Sequence, residues 1–222
     1  MRKALYSFCA ALGMLATVAI SSPASAAGSA GLDLEVPPPT DKIVIDVVTV
    51  NGTGCPAGTA TVAMSPDNTA FTVTYSAYTA LVGVGAGTLD WRKNCQLNLV
   101  VHVPSGFTYA ISKVDYRGFA SVEKGATATQ RANYYFQGQS QTAYASHSFA
   151  GPLADDWMTS DEVPVAALVW SPCGALRNLN INTELRVAAG TSNTATTTSF
   201  ISMDSTDGSL NTIYHFQWAN CP

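Results

Sequence analysis

Four carboxylates crowd into one short stretch. Gly151-Pro-Leu-Ala-Asp-Asp-Trp-Met-Thr-Ser-Asp-Glu162 sets Asp155, Asp156, Asp161 and Glu162 around Trp157. Read as a loop, these hard oxygens could ligate calcium, or supply the acid and base of a glycosidase. The plain alternative is a solvated acidic loop. A second acidic stretch, Asp204-Ser-Thr-Asp-Gly208, has the residues of a tight turn but not the Asp-x-Asp-x-Asp-Gly spacing of a helix-flanked calcium loop. The three histidines, His102, His147 and His215, are candidates for a serine-histidine-aspartate hydrolase. The chain has no Gly-x-Ser-x-Gly turn, and the favoured reading is that they are solvated or structurally hydrogen-bonded histidines. No catalytic residue is legible.

The aromatics suggest a different chemistry. Leu81-Val-Gly-Val-Gly-Ala-Gly-Thr-Leu-Asp-Trp-Arg-Lys93 is glycine-rich, which predicts a mobile loop ending in Trp91, without a phosphate-loop pattern. In Tyr134-Tyr-Phe136 alternation turns Tyr135 outward if its neighbours point inward. Trp91, Tyr135 and Trp157, set among Asn, Gln and Asp, are the residue types with which a protein surface stacks on sugar rings. Packing beneath neighbouring loops is the competing fate for each of them. The Gly83–Lys93 loop would instead serve an inhibitor-like or toxin-like protein acting by protein contact.

Any such site must be held by elements suited to export. Met1-Arg-Lys3, an apolar run from Ala4 to Ile20 and Ala24-x-Ala26 form a secretory signal peptide over 1–26. Its removal takes Arg2 and Lys3, leaving nine basic against fifteen acidic residues, a net charge of −6. Such a surface offers no electrostatic footprint for nucleic acid or for an anionic membrane. Residues 27–41, with Val36-Pro-Pro-Pro-Thr40, read as a flexible proline-rich leader, and 42–222 as one domain. Cys9 leaves with the signal, and the four remaining cysteines imply two disulfides. Cys55–Cys95 and Cys173–Cys221 each close a loop within one half of the chain. No cysteine spacing suits zinc, and no cofactor is expected unless calcium occupies the acidic stretch.

Period-two alternation runs through nearly all of the domain. Leu179, Ile181, Thr183, Leu185 and Val187 alternate with Asn180, Asn182, Glu184 and Arg186. Cys95, Leu97, Leu99, Val101 and Val103 do the same, which predicts a buried Cys95. Tyr214, Phe216 and Trp218 oppose His215 and Gln217. The apolar parity flips between Ser112 and Lys113, which predicts a β-bulge or a strand crossing between sheets. The run Val163-Pro-Val-Ala-Ala-Leu-Val-Trp170 reads as a strand buried on both faces. About ten strands without sustained helical spacing predict an antiparallel two-sheet β-sandwich of jelly-roll or Greek-key type, stabilised by disulfides.

Six blocks together resemble a known family: Asn51-Gly-Thr-Gly-Cys-Pro-Ala-Gly58, Ser65-Pro-Asp-Asn-Thr-Ala-Phe71, Arg92-Lys-Asn-Cys-Gln-Leu97, Val114-Asp-Tyr-Arg-Gly118, Trp170-Ser-Pro-Cys173 and Tyr214-His-Phe-Gln-Trp218. They are similar to the secreted proteins grouped as domain of unknown function 4360, found in bacteria and fungi. The resemblance spans roughly Val50 to Cys221. It implies export, a β-rich domain and paired cysteines, and brings no catalytic or binding residues with it. The leading expectation is a secreted, non-catalytic β-sandwich that binds an extracellular glycan or wall polymer. A hydrolase using residues 155–162 and a protein that acts on a protein partner are the alternatives.

Overall fold

The computed structural model describes residues 36–203 and 211–222. The signal segment, most of the leader and the acidic stretch 204–208 lie outside the described residues. In chain order the strands are β1 (Val44–Asn51), β2 (Ala60–Met64), β3 (Ala70–Tyr75), β4 (Thr79–Gly83), β5 (Arg92–His102), β6 (Phe107–Val122), β7 (Thr127–Phe136), β8 (Ala143–Ala150), β9 (Leu153–Glu162), β10 (Asn178–Ala188), β11 (Thr198–Ser202) and β12 (Thr212–Asn220). Two antiparallel sheets result. One has five strands in the order β1-β5-β10-β7-β8. The other has seven, ordered β2-β3-β12-β6-β11-β4, with β9 on the free side of β6.

The strict alternation of the strands dictates this stack. Leu97, Leu99, Leu179, Ile181 and Leu185 of the five-stranded sheet are buried, as are Phe71, Tyr214, Phe216 and Trp218 of the other. Burying these side chains stabilises the fold by about 1.5–3 kcal/mol each. Phe71 stacks on Tyr214 at 4.8 Å, and Tyr109 meets Phe136 edge-on across the sheets at 5.3 Å. The parity flip is a bulge: His215 opposes Lys113 but Phe216 opposes Ile111, so Ser112 is the extra residue.

Both disulfides form as expected. Cys55–Cys95, with Cα atoms 5.2 Å apart, is buried in the core. Cys173–Cys221, at 5.8 Å, ties an exposed turn to the residue after β12.

Two expectations are corrected. The apolar run Val163–Trp170 is not a buried strand. Pro164 lacks a donor and fixes its φ at −54°, a short 3₁₀ turn follows at Val165–Ala167, and none of the run is buried. Trp170 makes an isolated bridge to Ala110, and Val163 N donates to Ser112 O of β6 at 2.8 Å. The proline stretch also joins the fold before Lys42, because Pro39 is buried. Asn68 holds it. Its Nδ2 donates to the carbonyls of Pro39 and Asp41, both at 2.8 Å, and its Oδ1 accepts from Ile43 N. Asn68 adopts φ 57°, which asparagine tolerates better than most residues, and its own carbonyl accepts from Trp218 Nε1 at 3.0 Å.

Candidate functional site

The acidic stretch is strand rather than loop, and this separates its carboxylates. Residues 153–162 form β9, paired with β6 from Leu153 opposite Val122 to Glu162 opposite Lys113. Successive side chains of a strand point to opposite faces, so Asp155 and Asp156 diverge, as do Asp161 and Glu162. Asp155 and Asp161 share a face but lie roughly 20 Å apart at the rise of an extended chain. That exceeds both carboxylate spacings used by glycosidases, about 5 Å and about 6.5–9.5 Å. These four residues therefore do not form one calcium site or one acid–base pair. Among the described residues no group of three or more His, Cys, Asp or Glu side chains converges.

Trp157 is corrected with them. It is only 5% exposed. It lies directly opposite Gly118, where a Cβ would come within 2.4 Å of the indole ring, and packs on Phe149 of β8 at 5.1 Å. The missing side chain at Gly118 is the slot that the indole fills. Gly118, an isolated glycine inside a strand pattern, is the signal that could have found this.

Each histidine pairs with an aspartate, with ring nitrogen to carboxylate distances of 2.8 Å in His102–Asp46, His147–Asp161 and His215–Asp115. The third pair includes a serine, since Ser160 Oγ makes a very short hydrogen bond to the other oxygen of Asp115. Here the carboxylate, not the imidazole, bridges the two partners, the reverse of the order a nucleophilic triad needs. Partial burial pushes the Asp115 carboxyl up, but hydrogen bonds from Ser160, His215 and Lys113 outweigh it and hold the group below its ordinary range.

The glycine-rich loop is pinned. Leu81 N donates to Asp90 O, Gly87 N to Asp90 Oδ2, and Thr198 Oγ1 to Val84 O. Its tip leaves Val84 and Leu89 exposed, the latter 77%. Trp91 is 42% exposed, and the Arg186 guanidinium lies 6.0 Å from its ring centroid.

What the structure gathers is the outer face of the five-stranded sheet. The polar half of the β10 alternation meets the polar halves of β5 and β7 in register. One row crosses all five strands: Asn51, Gln96, Asn182, Asn133 and Tyr144. The next row is Thr49, Asn98, Asn180 and Tyr135. Asn98 Nδ2 donates to Asn180 Oδ1 at 2.8 Å, and Asn178 Nδ2 donates to Asn98 Oδ1 at 2.5 Å. These bonds fix the amides in place, which keeps an amide array preorganised. Tyr135 is outward and half-buried, as alternation predicts, and Tyr144, which sequence reasoning missed, is 65% exposed. A shallow groove of about 430 Å³ runs over this face, lined by Gln96, Asn133, Asn182 and Tyr144 and by Arg92, Arg131 and Glu184. Partial desolvation pushes the Glu184 carboxyl up, but hydrogen bonds and charge from Arg186 and Arg92 prevail and hold it below the usual range. No single strand contains this face; the register of five strands makes it.

Comparison with known proteins agrees with the sequence blocks. The family model described as a domain of unknown function (DUF4360) matches residues 41–221. A protein of Arthroderma benhamiae, described as an uncharacterized secreted protein, is 40% identical over 184 residues, covering 83% of this chain and 74% of that protein. Among solved structures, the enzymatically active domain of bacteriophage CBA120 tailspike protein 4 aligns with 78% of this chain and 19% of its own, at 14% identity and a TM-score of 0.25. That likeness is too slight to support any argument. The protein is secreted, and no helix among its described residues is long and apolar enough to cross a membrane. With the match covering the whole sandwich, this chain belongs to the DUF4360 family.

Proposed function

We propose that this secreted protein is a non-catalytic binder of extracellular glycan, and that it binds through the outer face of the five-stranded sheet. The row of amides from Asn51 to Asn133, closed by Tyr144, is the observation that supports this reading. Amide side chains offer paired donors and acceptors matched to sugar hydroxyls. The Tyr135 and Tyr144 rings flank them, and the apolar face of a sugar stacks on such rings. Trp91 stands at the end of the same face beside Arg186. Trp157 has no part in it.

Pull-down on insoluble chitin, cellulose and peptidoglycan tests the reading. The wild type should be retained on at least one polymer. Tyr144→Ala and the pair Gln96→Ala with Asn182→Ala should lose retention while melting within a few degrees of the wild type. Passage of the wild type through all three polymers, together with no binding to polygalacturonate or its methyl ester, would refute it. A second reading, contact with a protein partner, is supported by exposed Val84 and Leu89 at one loop tip. Its test is whether Leu89→Ser releases a crosslinked partner from culture fluid.

A further inference from the structure

One end of this amide face is cationic, although the whole chain carries a net charge of −4. Arg92 on β5, Arg186 on β10 and Arg131 on β7 all project from it. Arg92 and Arg186 are direct cross-strand partners. Like charges in that position repel, so the arrangement costs stability unless something offsets it. Glu184 is the only carboxylate paired with them among the described residues. It lies opposite both Asn94 and Arg131 in the sheet, and accepts very short hydrogen bonds from the Nε of Arg92 and of Arg186, while Arg131 Nη1 lies 4.0 Å away. Three guanidiniums thus share one carboxylate, a local surplus of two positive charges.

The geometry of those contacts leaves donors over. Glu184 engages the Nε of Arg92 and of Arg186, and among the described residues the Nη groups of both make no hydrogen bond to the protein; Arg92 and Arg131 line the groove, while the Arg186 guanidinium lies beside it over Trp91. The Glu184 carboxylate is itself largely covered by the guanidiniums, while their own side chains stand partly in solvent. A guanidinium presents its donors in a planar fork that matches the two oxygens of a carboxylate. The cluster already accommodates one carboxylate, and its surplus charge calls for more. The groove continues from it onto Asn94, Asn133 and Asn182.

Resting on the glycan reading above, we infer that the ligand is an acidic polysaccharide whose sugars carry carboxylates, with Arg92, Arg131 and Arg186 binding those carboxylates while the amide rows take the hydroxyls. A uronate polymer has this chemistry: one carboxylate per ring, hydroxyls around it, and no need for the protein to be basic overall.

The test compares two forms of one polymer, polygalacturonate and its fully methyl-esterified derivative, which keeps the sugar ring and removes the charge. The wild type should bind the acid form at least tenfold more tightly than the ester, and the difference should shrink as sodium chloride is raised. Arg92→Gln with Arg131→Gln should abolish the difference between the two polymers. Glu184→Gln, which removes the internal competitor, should instead raise affinity for the acid form. It serves as the second reading should the double variant fold poorly. Equal binding of acid and ester by the wild type, or a Glu184→Gln affinity no higher than wild type, overturns the acidic specificity and leaves the glycan reading standing. Failure to bind these two polymers and also chitin, cellulose and peptidoglycan overturns both.

Discussion

Replacing Trp157 by alanine should destabilise the protein severely, whereas Trp91→Ala should leave it close to wild type. Trp157 is 5% exposed, wedged between Phe149 and the bare backbone of Gly118. Its truncation removes a full indole from a packed layer, and neither the β6–β9 ladder nor β8 can collapse into the space without breaking register. Such a loss costs about 3–5 kcal/mol, out of a total stability of about 5–15 kcal/mol. For a domain of this size each kcal/mol moves the melting temperature by about 2–4 °C, so a fall of about 6–20 °C follows. Trp91, 42% exposed, loses mainly its contact with the Arg186 guanidinium, worth about 0.5–1 kcal/mol, or a shift of no more than about 4 °C. Thermal unfolding by circular dichroism, with both disulfides oxidised, measures the two shifts side by side. A Trp157→Ala protein that melts within about 3 °C of wild type would refute the packing argument, as would Trp91→Ala falling as far.

The other expectations concern the crosslinks, the carboxylates and calcium. By loop closure each disulfide stabilises by about 4 kcal/mol, but Cys173 is exposed while Cys55 and Cys95 are buried. Limiting reductant should therefore open Cys173–Cys221 first, and differential alkylation that labels Cys55 and Cys95 at the same rate would contradict this. The Asp115 carboxyl lies below its ordinary value of 3.8, so its contribution is fully present above that pH and is lost as pH falls through its lower folded value. Asp115→Asn should flatten the acid-side loss of stability, measured by urea unfolding between about pH 5 and about pH 2; an unchanged acid limb would contradict it. Because Asp155, Asp156, Asp161 and Glu162 diverge along β9, millimolar calcium should leave the melting temperature unmoved. A rise that disappears in Asp155→Ala would restore the calcium reading.

The sequence by itself settled what depends on local chemistry and periodicity. The alternation of β5, β10 and β12 named their buried faces, because a strand's side chains must alternate and only one face can be dry. The parity flip at Ser112 marked the bulge for the same reason. The paired cysteines followed from an even count in an exported chain. Tertiary structure decided everything that rests on which strand lies beside which. Residues 151–162 look like a carboxylate cluster in one dimension, and pairing with β6 stretches them into a strand that sends neighbouring acids apart. Trp157 looks like a surface aromatic until Gly118, far away in the chain, supplies its slot. Val163–Trp170 is apolar enough for a core strand, but Pro164 turns it aside and leaves it on the surface. The amide rows are the converse case. Gln96 and Asn182 are ordinary polar positions of separate strands, legible only as pointing outward, and nothing in the sequence joins Asn51 or Asn133 to them. Their union into one surface is a matter of register, which is fixed by contacts between strands and by nothing within any one of them.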